Sequence, residues 1–184
     1  MTSLITGLIV AIITFPGVIF RQVAIQLFCC YFQIPVFKVV YFQAWPPGGT
    51  VLHEVPDSPW IRLMLIFGPA AANTVLGFLI GAPAVLGLLI SDNTIISSLL
   101  DLFLIWLGTS IAVHTFPTLN EAETVTNAMT AAQNPVWVQM MGLPLSAVTY
   151  MAAIGKILWL DAIYALVVVI VIPILFFEVL RMTF

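Results

Sequence analysis

The chain of 184 residues is 62% hydrophobic and only 7% charged, with a formal net charge of −3. Soluble domains carry about 25% charged residues, so this composition, with a mean hydropathy of +1.16, excludes an ordinary soluble domain and a disordered chain alike. It implies an integral membrane protein forming a single transmembrane domain, 1–184, with the lipid bilayer as its first partner. There is no basic cluster to hold phosphates along a nucleic acid, so none is expected to bind.

The first apolar stretch, Leu4 to Tyr31, is long enough to span a bilayer, which needs roughly 20 residues. Pro16-Gly17 divides it. It forms either one kinked span or a short helix leading into a second. It lacks the basic start of a signal peptide and runs past position 25, so it is expected to be retained. On a helix starting near Pro16, Arg21, Gln22 and Ile25 share one face. A charge placed there needs a partner or a wet cavity. Cys29 and Cys30 are neighbours in the same run. Adjacent helical positions diverge by about 100°, so the two are expected as buried thiols rather than a disulfide.

Val36 to Gln43 and Thr50 to Val55 are β-branched and aromatic, and Trp45-Pro46-Pro47-Gly48-Gly49 between them is a turn signal. Together they predict a β-hairpin, at the membrane surface or in an embedded cavity, because lipid does not tolerate an open strand edge. Pro56-Asp57-Ser58-Pro59 then starts a helix. Trp60 to about Ile90 is apolar, and Asp92, Asn93 or Thr94 in the following polar turn supplies a cap for a span from Ile95 to Val113. Thr118 followed by Glu121 fits a capping box and predicts a short helix within the polar run to Asn134. Trp137 to Ile154 and Trp159 to Leu180 are further spans, with Lys156 in a short turn between them.

The fold expected is an all-α membrane bundle of about five to six transmembrane helices with a small hairpin between the first and second spans. With five spans, Lys38, Arg62 and Arg181 fall on one side and Lys156 on the other, which makes the hairpin side cytoplasmic. Asp101 and Asp161 suit helix starts or interfacial water, and Glu178 with Arg181 suits an i, i+3 pair.

Several segments, in order, resemble the site-2-protease-like membrane zinc metallopeptidases, especially the small prokaryotic type. In that family a helix often opens Phe-Pro-Gly, continues through His-Glu-x-x-His and ends in an apolar run with Phe and Cys. Phe15-Pro16-Gly17 and Leu27-Phe28-Cys29 match that frame. Gly68-Pro69 followed by Asn73 is similar to the family's next span. His114-Thr115-Phe116-Pro117-Thr118, then Asn120-Glu121, is similar to its His-x-Phe-Pro segment and acidic metal ligand. The resemblance covers roughly residues 10–125 and implies a protease-like core over 1–125, additional C-terminal helices over 126–184, and a prokaryotic plasma membrane.

The metal-binding letters of the motif are replaced: Arg21, Gln22 and Ile25 stand where the family has His, Glu and His. Zinc needs neutral imidazoles, and its bound water needs a carboxylate base. Arginine keeps its proton and has no acceptor atom, isoleucine has no lone pair, and Gln22 is no base. No catalytic residue and no cofactor are therefore expected. Arg21 either replaces the lost cation and pairs with an acid such as Glu121, or snorkels to headgroups. His53, His114 and Glu121 are residual metal candidates, and Asn73 is expected to bond between helices. Four functions remain open. The chain is a pseudoprotease that binds partners, an accessory subunit of a larger membrane complex, an active metalloenzyme reworked around His53, His114 and Glu121, or a small transporter. The first two imply other transmembrane proteins as partners.

Overall fold

The computed structural model describes residues 2–43, 48–90 and 95–183. The chain folds as α1 (Thr2–Ile13), α2 (Phe15–Tyr31), β1 (Val36–Gln43), β2 (Gly48–His53), α3 (Pro59–Ile90), α4 (Ile95–Val113), α5 (Leu119–Met129), α6 (Val136–Ile157) and α7 (Leu160–Thr183). It is the expected helical membrane bundle with an antiparallel hairpin near its start. Helices α3, α4, α6 and α7 are long and apolar enough to cross a membrane, and α2 is a shorter apolar helix. The turn at Trp45-Pro46-Pro47 and the cap at Asp92, Asn93 or Thr94 lie outside the described residues.

The division of the first stretch falls at Thr14, just before the expected Pro-Gly. Pro16 lies in the first turn of α2, where its missing N–H costs nothing. Proline has the opposite effect in α7. Pro173 cannot donate to the carbonyl four residues back, and the turn just before it, Val167–Val171, widens to π-helical geometry. Strand β2 begins and ends two residues earlier than the sequence suggests, and Glu54 N–H instead bonds Pro35 O at 2.9 Å. The hairpin lies against α2 because Gly49 has no side chain: a Cβ there would sit 2.7 Å from Gln22 Cγ.

Small residues set the closest helix crossings. A Cβ on Gly77 would fall 2.7 Å from Gly108 O, and one on Gly108 would fall 2.6 Å from Gly77 O, so α3 and α4 pass nearly backbone to backbone. Around α3 are three apolar clusters. Leu63, Ile66, Val125, Met129 and Val138 join its first half to α5 and α6. Ala112, Val113, Ala165, Val168 and Val169 join α4 to α7. Ile25, Cys29 and Leu65 join α2 to α3. Cys29 is buried as expected, but its neighbour Cys30 is exposed.

The course of the last two helices differs from a simple up-and-down bundle. Trp137 stacks on Trp60, Tyr164 OH lies 3.0 Å from Thr74 Oγ1, and Val169 packs beside Gly81. Helices α6 and α7 therefore both advance along α3 in its own direction, with a left-handed corner at Trp159 (φ 61°) between them. This overturns the expected sidedness. Arg62 and Arg181 lie towards opposite ends of α3, and Lys156 belongs to the last turn of α6, part-way between them. A charge count of three against one no longer applies.

Candidate functional site

Arg21 reaches the site from the middle of α2, a helix held close to α4 by Gly17. A Cβ at Gly17 would lie 1.9 Å from Ser110 O, and Gly17 N–H donates to Ser110 Oγ at 3.1 Å. That approach brings Arg21 under the turn after α4. Its Nη1 donates to His114 O at 2.7 Å and to Thr115 O at 3.3 Å. Its Nη2 donates to both carboxylate oxygens of Glu121, at 3.0 and 2.9 Å. The Arg21 side chain is 7% exposed and that of Glu121 is 29% exposed. Among the described residues this is the one ion pair. Glu178 and Arg181 do not form the expected one.

Glu121 is placed by the first turn of α5. Thr118 Oγ1 accepts from Glu121 N–H at 3.3 Å, and Thr118 N–H donates to Glu121 Oε2 at 2.6 Å, which completes the capping box. One carboxylate thus closes a helix and receives a guanidinium. Burial pushes its carboxyl pKa up. The charge of Arg21, with hydrogen bonds from Thr118 and Arg21, outweighs burial and holds it below the usual value.

Asn73, 1% exposed, reaches the same turn from α3, and its Nδ2 donates to His114 O at 3.2 Å. The His114 carbonyl is therefore shared by Arg21 and Asn73, and the α2 helix, Asn73 and the His114 turn meet at one point. The His114 ring faces away, towards Thr14. Its Nε2 lies 2.8 Å from Thr14 Oγ1, whose own proton goes to Val10 O at 2.7 Å. The hydroxyl can then only accept, which assigns the proton to Nε2. Burial first, then the charges of Lys156 and Arg21, push the imidazole pKa down to about 3 against an ordinary 6.5.

The other motif positions have other neighbours. Ile25 is in the apolar cluster with Cys29 and Leu65, and Gln22 is buried against Gly49 of β2. His53, at the end of β2, turns its Nδ1 to Glu54 O at 2.7 Å. Among the described residues no three His, Cys, Asp or Glu side chains gather to hold a metal ion, so His53, His114 and Glu121 do not form a shared site. A zinc ion does not fit here on donor chemistry: the Arg21 guanidinium occupies the Glu121 carboxylate, and Ile25, buried in an apolar cluster, has no lone pair to offer.

Lys156 is the component that sequence reasoning passed over. The charges of Arg21, Glu121 and Asp161 act on it, and it lines a cavity with Thr118 and Asn120. A lone lysine between two apolar runs was the available signal. Asp161 is buried in the first turn of α7, as its position near a helix start suggests, and its Oδ1 accepts from Ala162 N–H at 2.9 Å. On the α3 side an apolar cleft of about 430 Å³ opens towards α6, lined by Ile66, Ala70, Thr74, Phe116, Ala152 and Tyr164 among others. Comparison with protein-family models, curated proteins and solved structures gives no match.

Proposed function

We propose that the chain is a catalytically inactive homologue of the site-2-protease-like membrane metallopeptidases, acting as a binding or structural subunit within the membrane. One observation carries this reading: Arg21, at the position of the family's first metal-binding histidine, forms a two-oxygen ion pair with Glu121, at the position of its acidic ligand. In this reading a fixed cation replaces a bound one and draws together the same three segments. Chemistry supports the loss of hydrolysis, because nothing on this face of α2 can bind zinc or take a proton from water. The cleft between α3 and α6 supports the binding role. It is an apolar recess suited to the side chains of a partner's membrane helix.

The test is metal content and its restoration. The full chain purified in detergent is expected to carry no stoichiometric zinc and to leave single-span peptides uncut. The triple variant R21H/Q22E/I25H is expected to take up one zinc per chain. Stoichiometric metal or peptide cleavage by the wild-type chain refutes the inactive assignment. A triple variant that is monodisperse yet binds no zinc refutes the family assignment.

A further inference from the structure

Next to the Arg21–Glu121 pair lies a separate cavity of about 320 Å³, lined by Thr118, Leu119, Asn120, Ala153 and Lys156. Two elements build it: the start of α5 and the last two turns of α6. The charges around it are unevenly engaged. Glu121 is taken up by Arg21 and Thr118. Asp161 accepts from Ala162 N–H and makes no ion pair among the described residues. Lys156, partly buried, makes neither an ion pair nor a hydrogen bond among the described residues. An ammonium inside a membrane protein needs a counter-ion or water, and among the described residues the carboxylates of Glu121 and Asp161 act on it only from beyond contact distance.

The opposite wall, Thr118, Leu119 and Asn120, also carries donors. The capping box uses the N–H groups of Thr118 and Glu121. It leaves those of Leu119 and Asn120, in the first turn of α5, without intrahelical acceptors. The Asn120 side chain is exposed, and its amide has no partner among the described residues. A lysine, a free amide side chain and unpaired backbone N–H groups around one recess make a site for an anionic oxygen group.

We propose that this cavity binds a phosphate group, presented by an anionic phospholipid, with Lys156 as its cation and Asn120 as a second donor. The surroundings favour a lipid over a free ion. Leu119 in its wall is 45% exposed, and Ile154, Leu158 and Trp159, close in sequence to Ala153 and Lys156, are 50%, 65% and 50% exposed, apolar surface on which acyl chains would lie. Trp159 beside Lys156 is the composition of a membrane–water boundary, and polar α5, with Asn120, Glu123 and Thr124 exposed, supplies its wet side. A lysine near such a surface attracts anionic headgroups.

The test uses the full chain in micelles doped with phosphatidylglycerol or with phosphatidylcholine of the same acyl chains, and retained lipid is read by native mass spectrometry. Phosphatidylglycerol is expected to be retained over phosphatidylcholine, and K156Q is expected to lower that retention roughly tenfold, the size of a lost charge-assisted hydrogen bond. N120D, a change at an exposed side chain that adds a like charge to the site, is expected to do the same and decides the matter should K156Q not fold. Inorganic phosphate is the second probe. If it displaces the lipid only at high concentration, the lipid is the source. If it binds with Lys156 dependence while the two lipids are retained equally, the phosphate chemistry stands and the free ion is the source. Retention unchanged in folded K156Q and N120D, with no phosphate binding, overturns the proposal.

Discussion

Replacing Glu121 by Gln isolates the charge of the central pair. Glutamine at this position still completes a capping box with Thr118, so the helix start survives while the carboxylate is lost. Arg21 then remains 7% exposed with only neutral acceptors, the His114 and Thr115 carbonyls and the new amide oxygen. Removing one partner from a buried pair costs about 3–5 kcal/mol. Glu121 is 29% exposed, so water screens part of the loss, which puts the expected cost near about 3 kcal/mol. For a chain of this size, about 2–4 °C per kcal/mol gives a fall in Tm of about 6–12 °C. The assay is thermal unfolding in detergent followed by near-ultraviolet circular dichroism, with E123Q on the exposed face of α5 as the control. The double variant R21M/E121L should recover part of the loss, since neither charge is then left alone. A shift for E121Q no larger than that of E123Q refutes the assignment of this pair as the clamp between α2 and α5.

Acid should act in two stages. His114 is held neutral, with its pKa pushed down to about 3, so its stabilising contribution is present above pH 6.5 and is lost as the pH falls below it, by at most about 1.4 kcal/mol per pH unit. Glu121, held below its ordinary value of 4.5, adds a further loss below that pH. H114N should flatten the upper stage and E121Q the lower one; unchanged profiles refute both assignments. In G17A the new methyl meets Ser110 O, and α2 must move off α4, at a cost of about 1–3 kcal/mol; an unchanged Tm refutes the close crossing. N73L removes one of two donors to His114 O, and Arg21 keeps that carbonyl satisfied. A loss of about 1 kcal/mol is expected in denaturant melts, and a loss as large as that of E121Q shows that Asn73, not Arg21, holds the turn.

What residue order alone settles about this protein is local. Membrane character follows from composition. The hairpin follows from β-branched runs around a Pro-Gly turn signal, and α4 from a mostly apolar run without proline, with the bounds expected. The α5 start follows from Thr118 and Glu121 three residues apart. Each depends on interactions within a few residues, so it is written in spacing. Position within an apolar helix likewise announces that Arg21 needs a partner. Which partner, and where, is tertiary. Arg21 and Glu121 are 100 residues apart, and they meet because Gly17 lets α2 lie on α4, a contact whose distance no local pattern encodes. The direction of α6 is tertiary too, since an apolar run looks the same whether its chain turns back or continues along α3. That choice rests on Trp137 against Trp60 and Tyr164 against Thr74, and it is what carries Lys156 from an expected loop to the edge of the site.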